Sequence, residues 1–295
     1  MDYHQPVLEK EVIDSLHLKP NGIYLDATLG NGGHTISILK IGATVFGLDQ
    51  DKDNLKLATT RIKTELPESK FYPIHGNFSN LFAIYESFIK SKLDGILFDL
   101  GLSKNQQLSN NRGFSFNDQN SLDMRLDPET QAETAEFVIN TYDYLQLYDI
   151  FTKYTQELYS KPLILRIIKE RQKSPIKTAS RLAEIIRFYY QEHRHNTRLD
   201  PATKIFLALR IHVNQEYQNL NNTLSASLKI TKMGGTVAVI SFHSGEDRIV
   251  KQFFKLKNVE EEAVLITKKP ATPGAEEISG NPRSRSAKMR IIEKK

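Results

Sequence analysis

Three aspartates, Asp26, Asp49 and Asp99, each end a short and mostly apolar run and stand directly before a turn. Runs of this kind, rich in β-branched and aromatic residues, are typical of buried strands. A carboxylate at the end of a strand can accept hydrogen bonds from the hydroxyl or amino groups of a ligand. The three aspartates therefore predict a polar binding edge.

A glycine cluster follows the first of these aspartates, in the segment Asp26-Ala-Thr-Leu-Gly-Asn-Gly-Gly-His34. Glycines at positions 30, 32 and 33 allow positive φ angles and let a ligand approach the backbone closely. The run Thr35-Ile-Ser-Ile-Leu39 comes next, so the pattern predicts a strand, a tight turn and a helix. The N–H groups at the start of that helix attract polar ligand groups.

The spacing between the glycine turn and Asp49 is typical of a site for an adenosyl ligand. Asp49 lies 16 residues after Gly33, and nucleotide-binding α/β folds place an acid about 20 residues past the turn, on the ribose. Thr35 occupies the place of the last glycine of the dehydrogenase fingerprint, which argues against a nicotinamide cofactor. The acid that ends the first strand instead suits S-adenosylmethionine. A glycine turn without any ligand is the alternative.

The predicted elements that carry these residues alternate between strand and helix over the first 101 residues. Such alternation predicts an α/β fold with a parallel sheet and helices on both faces. Ligands of these sheets bind beyond the carboxyl ends of the strands. That edge also carries Phe78, which either packs on a purine ring or acts as the hydrophobic staple of the next helix.

The alternation stops after Ser103, and the next convincing strand begins at Gly235. A crossover between parallel strands needs only about a dozen residues, so the sequence predicts an inserted helical domain. Thr130 and Thr178 each have the pattern of a helix N-cap. We expect a first part of the α/β domain over 1–106, a helical substrate domain over 107–199 and a second part of the α/β domain over 200–295.

An irregular polar stretch between 103 and 127 contains Arg112, Phe114, Phe116 and Arg125. Arginines interleaved with phenylalanines suit a loop that stacks on a base and contacts phosphate. An ordinary long lid has the same composition, but the position directly after the predicted binding edge favours a functional loop.

Further candidates follow late in the chain. His243 comes after the predicted strand 235–242, where it is either an active-site residue or a histidine with a structural role. Arg283 and Arg285 precede a final predicted strand over 286–293 and offer two guanidinium groups for phosphate.

Charge is distributed unevenly along the 295 residues, whose net charge is +5. Residues 161–200 hold 10 basic and 4 acidic side chains, and residues 281–295 hold 6 basic and 1 acidic. Basic segments confined in this way are typical of a protein that binds a polyanion, so we expect a nucleic acid as partner. A solvated helix face and a basic tail are the alternative.

Cysteine is absent, which excludes disulfides and thiolate metal sites, and we expect no metal. No apolar run is long enough to cross a membrane, and no signal peptide is recognisable. We therefore expect a soluble, cytoplasmic protein. The sequence does not fix the oligomeric state, for which a homodimer is one option.

Six motifs occur in a fixed order: Asp26-Ala-Thr-Leu-Gly-Asn-Gly-Gly-His34, Phe98-Asp-Leu-Gly-Leu-Ser103, Arg112-Gly-Phe-Ser-Phe116, Leu122-Asp-Met-Arg125, Ser241-Phe-His-Ser244 and Asn281-Pro-Arg283. In this combination the chain resembles the bacterial 16S ribosomal RNA cytosine-N4 methyltransferases, the MraW or RsmH family. The resemblance implies a class I, Rossmann-like methyltransferase domain with an inserted helical domain. It also implies S-adenosylmethionine as methyl donor. The implied acceptor is a cytidine in the decoding region of 16S ribosomal RNA, within the small ribosomal subunit or its precursor.

The matching motifs carry the cofactor contacts of the family onto seven residues: Gly32, Gly33, His34, Asp49, Phe78, Asp99 and Gln106. Asp49 is implied to bind the ribose, and Phe78 is implied to lie beside the adenine. Lys104 and Asn105 stand where the family usually has Ser-Pro.

The implied acceptor atom is difficult to methylate, because the lone pair of the exocyclic N4 is delocalised into the cytosine ring. We expect Ser103, His243 or a backbone carbonyl near 100–102 to accept the N4 proton. Phe114 or Phe116 is expected to stack on the base. A non-catalytic ribosome-assembly factor and a methyltransferase for another nucleic acid, such as DNA, are the rival functions.

Overall fold

The structure is a computed structural model that describes residues 5–103, 105–106, 111–155, 159–194 and 199–295. The chain forms two compact units, the first made of Met1–Ser103 and Tyr217–Lys295 and the second of Lys104–Glu216. These bounds differ from the expected ones at 106 and 199. The second bound moves because the helix Ala202–Val213 packs into the helical core.

The first unit contains one sheet, whose strands are β1 (Ile23–Asp26), β2 (Thr44–Asp49), β3 (Lys70–His75), β4 (Leu93–Asp99), β5 (Thr231–Ser241), β6 (Ala263–Leu265) and β7 (Lys288–Lys294). Their order is β3-β2-β1-β4-β5-β7-β6. Strands β1 to β5 run parallel, whereas β7 is antiparallel to both neighbours. The strand order reverses between β1 and β4, which is where such sheets bind ligands.

The described helices are α1 (Glu9–Ser15), α2 (Gly33–Leu39), α3 (Lys52–Glu65), α4 (Leu81–Ile84), α5 (Ala135–Thr141), α6 (Tyr144–Thr155), α7 (Ser160–Lys173), α8 (Ala179–Glu192), α9 (Ala202–Val213), α10 (Glu216–Ile230), α11 (Ser244–Val259) and α12 (Ala275–Gly280). A 3-10 turn at Phe78–Asn80 precedes α4, and a π turn at Tyr85–Ile89 follows it. None of the helices in the described ranges is long and apolar enough to span a membrane.

The sheet separates two apolar cores. Leu25 and Phe98 belong to one cluster, whereas Tyr24 and Leu97 belong to the other. Successive side chains of a strand point to opposite faces, so each face of the sheet buries its own core. Burial on both faces explains why these strands read as continuous apolar runs.

The second unit is helical, and α5 to α9 bury one shared core. The loop before α5 is organised by the buried Asp118, whose carboxylate accepts the N–H groups of Asn111, Gly113, Asn120 and Ser121. Burial would raise the pKa of Asp118, but these hydrogen bonds hold it below its usual value. The Asp118 carboxylate thus accepts the hydrogen bonds of backbone N–H groups that lie outside any helix or strand.

The structure corrects one expected helix start and supports another. Helix α1 begins at Glu9, directly after Leu8, which adopts a left-handed φ of 53°. The N-cap of α5 is Thr134, whose side chain accepts a backbone N–H, and not Thr130. Thr178 is the N-cap of α8, as expected.

Candidate active site

The carboxyl ends of β1, β2 and β4 bring Asp26, Asp49 and Asp99 to one edge of the sheet. Asp26 pairs in register with Gly47 of β2 and with Leu97 of β4. The other two aspartates therefore lie two residues further along the flanking strands. The polar edge expected from the sequence is present in the structure.

The glycine turn depends on glycine at two positions for different reasons. Gly32 has a φ of +75°, in the left-handed region that favours glycine. Gly33 has no such φ, but a Cβ there would lie 2.7 Å from Cγ of Pro6. The amino-terminal segment therefore packs directly on the turn, a contact that the sequence did not indicate.

His34 and Asp99 form a close pair at this edge. His34 is buried in the first turn of α2, and its Nε2 lies 3.5 Å from Oδ2 of Asp99. Burial would lower the pKa of His34, but the carboxylates of Asp99, Asp26 and Glu9 raise it above the usual value. Among the described residues, both imidazole nitrogens and Oδ1 of Asp99 lack a hydrogen-bond partner. Buried polar atoms are normally satisfied, so this pair fits a ligand that supplies donors and acceptors.

Asp26 holds the turn and the neighbouring strand end together. Its carboxylate accepts the hydroxyl of Thr35 at 2.7 Å and the N–H of Thr28 at 3.2 Å. The hydroxyl of Thr28 in turn accepts the N–H of Asp99 at 2.6 Å. Burial raises the pKa of Asp26. These bonds connect β1, α2 and β4 and thereby position His34 and Asp99.

Asp49, the expected ribose ligand, is 9% exposed. Its carboxylate accepts the N–H of Gly30 at 3.0 Å, the N–H of Asp51 at 2.9 Å and the side-chain amide of Asn54 at 3.1 Å. Burial nevertheless raises the pKa of Asp49 to about 7. The bond to Gly30 ties this acid to the glycine turn.

Asn54, which belongs to none of the sequence motifs, connects Asp49 to the expected catalytic Ser103. Its amide nitrogen donates to Asp49 at 3.1 Å, and its amide oxygen accepts the Ser103 hydroxyl at 3.1 Å. Asn54 is 3% exposed. The sequence places Asn54 in the first turn of the helix after β2, but it does not indicate the contact with Ser103 after β4.

Phe78 begins the 3-10 turn after β3 and packs edge to face on Phe98, with ring centroids 6.0 Å apart. The N-cap of this turn is Asn77. A staple residue precedes the cap, so the interpretation of Phe78 as a hydrophobic staple is wrong. The N–H of Gly76 donates to the backbone oxygen of Asp49 at 3.0 Å, which places Phe78 beside the end of β2.

Gln106, one of the expected cofactor contacts, is buried in the second unit. Lys104, one of the two departures from the family pattern, lies outside the described residues. The cofactor contact of Gln106 stays a prediction.

His243 is the N-cap of α11 and forms a capping box with Glu246. Its Nδ1 accepts the N–H of Glu246 at 3.4 Å, and its Nε2 lies 3.1 Å from Oε1 of the same residue. Because Nδ1 accepts a hydrogen bond, the ring hydrogen lies on Nε2, a buried atom that has no hydrogen-bond partner among the described residues. The imidazole thus has a structural role, and its catalytic role stays a prediction.

The two arginines of the expected RNA loop contact other parts of the same loop. Arg112 donates to the backbone oxygens of Arg125 and Leu126, each at 3.0 Å. Arg125 forms two hydrogen bonds with the carboxylate of Asp123, at 2.7 and 2.8 Å. These contacts account for both guanidinium groups as supports of the loop, and their contact with RNA stays a prediction.

The two phenylalanines of this loop pack against the helical core. Phe116 lies edge to face on Phe206, with ring centroids 4.8 Å apart. The guanidinium of Arg112 lies 5.6 Å from the centre of the Phe114 ring. Both phenylalanines are half-buried. Stacking on a base requires a ring face that the core leaves uncovered, and this stacking stays a prediction.

The two basic segments differ in how far their charge is neutralised. In 161–200, Glu170 lies within 4 Å of Arg166, Lys173 and Arg181. Arg187 pairs with Asp200 at 2.6 Å. Arg283 and Arg285 are exposed and form no ion pair with any described residue. These two arginines therefore present their charge to solvent, whereas Arg290 of the same segment pairs with Asp247.

A doubly wound sheet with an antiparallel β7, a glycine turn after β1 and acids at the ends of β1, β2 and β4 define a class of protein. It is the Rossmann-like class of S-adenosylmethionine-dependent methyltransferases.

Comparison with known proteins narrows the class. The model of the MraW methylase family matches residues 1–295. A protein of Halothermothrix orenii named Ribosomal RNA small subunit methyltransferase H is 39% identical, over 99% of this chain and 98% of its own. A protein of the same name from Carboxydothermus hydrogenoformans is 40% identical, over 99% and 97%. The chain belongs to the MraW methylase family. It is a methyltransferase, and its cofactor is S-adenosylmethionine.

Proposed function

We propose that the protein transfers the methyl group of S-adenosylmethionine to the exocyclic N4 of a cytidine in the decoding region of 16S ribosomal RNA. The observation that carries this proposal is the similarity to relatives named Ribosomal RNA small subunit methyltransferase H along 99% of the chain. Proteins that share only a methyl-transfer domain would match the first unit, whereas this similarity also spans the helical unit.

The residues of the carboxyl edge fit the donor. The unpartnered atoms of His34 and Asp99 suit the amino and carboxylate groups of its methionine part. Asp49 suits the ribose hydroxyls, and Phe78 suits the adenine. When bound, the sulfonium supplies a methyl group for in-line displacement, a reaction that depends mainly on positioning. The bonds of Asp26 and Asn54 provide that positioning.

Ser103 is the better candidate to accept a hydrogen bond from the N4 amino group. Its hydroxyl donates to Asn54, and a hydroxyl oxygen that donates one hydrogen bond can also accept. In His243, Nδ1 already accepts a backbone N–H, so the ring hydrogen lies on Nε2, and that nitrogen cannot accept a second hydrogen. A hydrogen bond from the N4 amino group to Ser103 would draw electron density onto the nitrogen and hold it for attack.

RNA binding is proposed for Arg283 and Arg285 in the first unit and for the loop of Phe114 and Phe116 in the second. Ser241 at the end of β5 pairs with Lys288 at the start of β7, so the segment before β7 lies at the carboxyl edge. Splaying out the cytidine costs a few kcal/mol. Stacking on an aromatic ring returns about 1–3 kcal/mol per base.

The test offers labelled S-adenosylmethionine to small ribosomal subunits, naked 16S ribosomal RNA and DNA, followed by nucleoside analysis. We expect label in N4-methylcytidine from the RNA. Label in DNA or in another nucleoside would refute the proposed acceptor. Binding to subunits without any transfer would support the rival function of a non-catalytic assembly factor.

A further inference from the structure

Helix α11 presents three basic side chains on one face: Arg248, Lys251 and Lys255, here named the α11 stripe. Residues at such spacings are neighbours on one side of a helix, and all three are exposed. Val250 and Phe254 are buried and attach the helix to the unit. With a rise of about 1.5 Å per residue, the stripe is about 10 Å long.

The acids of α11 do not neutralise the stripe. Glu246 caps the helix, and Asp247 pairs with Arg290 of β7 at 2.7 Å. Lys257, in contrast, pairs with Glu260 and Glu262. Within the part of the chain that the structure describes, the three cations of the stripe form no ion pair. This face therefore presents uncompensated positive charge to solvent.

The stripe begins near the carboxyl edge of the sheet. Helix α11 starts three residues after β5 ends, and Asp247 in its first turn lies 3.7 Å from Lys288 at the start of β7. Arg283 and Arg285 lie just before Lys288. The stripe thus begins near the end of the first unit at which Arg283 and Arg285 lie, and it extends away from that end along α11.

We infer that the α11 stripe contacts the phosphates of the RNA that carries the acceptor nucleotide. This inference rests on the proposed function, which supplies RNA as the partner. Uncompensated lysine and arginine side chains bind a polyanion mainly through charge and release of counterions. Phosphate contacts fix orientation and carry no sequence information, so the stripe orients the RNA and leaves the choice of nucleotide unchanged. An acidic protein surface is the other conceivable occupant.

The test compares the full-length wild type with the triple variant Arg248→Gln, Lys251→Gln and Lys255→Gln. A matched control removes the same charge at the exposed Lys40, Lys56 and Lys63 of the same unit. Binding of naked 16S ribosomal RNA and of small subunits is measured across salt concentrations.

We expect the stripe variant to reduce the slope of log Kd against log salt by about 2 to 3, since each phosphate contact contributes about 0.7 to 0.9. Its affinity at low salt should fall roughly tenfold or more. The control should change both quantities much less, and both variants should bind S-adenosylmethionine like the wild type.

Equal slopes for the stripe variant and the control would overturn the inference. A loss confined to assembled subunits, with naked RNA bound normally, would also overturn it by indicating a protein partner. The proposed function is judged separately by methyl transfer with the wild type. If the wild type binds RNA through the stripe but methylates no cytidine, the function fails and the stripe stands. If the wild type methylates cytidine and the stripe variant binds normally, the stripe fails and the function stands.

Discussion

Among the single residues, the buried Asn54 bonds both to Asp49, the proposed ribose ligand, and to Ser103, the proposed hydrogen-bond partner of N4. Replacing it with alanine removes a donor to Asp49 and the acceptor of the Ser103 hydroxyl. Loss of a hydrogen bond to a charged group costs about 1.5–3 kcal/mol. We expect Asn54→Ala to weaken binding of S-adenosylmethionine about tenfold or more in calorimetry and to lower the rate of methyl transfer.

The control for this substitution is Thr59→Ala on the same helix, which removes only a side-chain bond to a backbone oxygen of α3. It should leave cofactor affinity and turnover near the wild-type values. Normal affinity and turnover in Asn54→Ala would contradict the positioning role of Asn54.

Asp49 gives a second prediction, on the pH dependence of stability. Its pKa is about 7 in the folded chain and 3.8 when unperturbed. Between these values the folded chain binds more protons than the unfolded chain, so the contribution of Asp49 to stability decreases as pH rises from about 4 to about 7. The free energy of unfolding of the wild type minus that of Asp49→Asn should therefore decrease over this range. A difference independent of pH would contradict the raised pKa.

Some of the residue positions in the site could be predicted from the sequence, and others could not. Asp26, Asp49 and Asp99 could be placed on one edge because parallel strands end together. The roles of Pro6 beside Gly33 and of Asn54 beside Ser103 could not, since both contacts join residues far apart in the chain. The capping role of His243 could not be predicted either, because it depends on the orientation of the Glu246 carboxylate in the folded chain.

At the scale of elements, the loop before α5 depends on Asp118 for its shape. The carboxylate accepts four backbone N–H groups that have no helix or strand to join. We expect Asp118→Ala to lower the free energy of unfolding by about 1–3 kcal/mol, the cost of leaving such donors unsatisfied. Urea denaturation measures this change.

Asp149→Ala, which removes an exposed carboxylate on α6, serves as the control and should change stability little. Because the pKa of Asp118 is lowered, its contribution is present at neutral pH and is lost as pH falls below about 4. Equal stability of wild type and Asp118→Ala at pH 7 would contradict this role.

Helix starts show what local patterns can and cannot predict. Thr178 was identified because its cap lies within four residues of sequence and needs no tertiary contact. Thr130 has the same pattern, but its hydroxyl donates to Asp127 and the helix begins after Thr134. The conformation of the preceding loop therefore determines that Thr134, and not Thr130, caps the helix.

For the whole molecule, the division into two units could be predicted, because the alternation of strands and helices stops after Ser103. The residue at which the helical unit ends could not be predicted from the sequence. Helix α9 packs into the core of the second unit, and its sequence does not indicate which of the two units it joins. Counting charges along the sequence likewise did not show which of them are neutralised. In the segment 161–200, the ion pairs around Glu170 neutralise part of the positive charge.

The exposed Arg283 and Arg285 give a prediction on RNA binding. Replacing both with alanine should weaken binding of 16S ribosomal RNA and reduce its dependence on salt, since two phosphate contacts are lost. The affinity for S-adenosylmethionine should stay unchanged, because the candidate cofactor contacts remain in place. Filter binding at several salt concentrations, with calorimetry of the cofactor, tests both statements; RNA binding indifferent to the change would contradict them.

A crystal structure of the full chain with S-adenosylhomocysteine would show whether the carboxyl edge between β1, β2 and β4 holds the methyl donor. We expect the ribose on Asp49, the adenine beside Phe78 and the amino-acid end at His34 and Asp99. A ligand bound elsewhere, or bound at this edge without contact to Asp49 and the His34–Asp99 pair, would contradict this expectation.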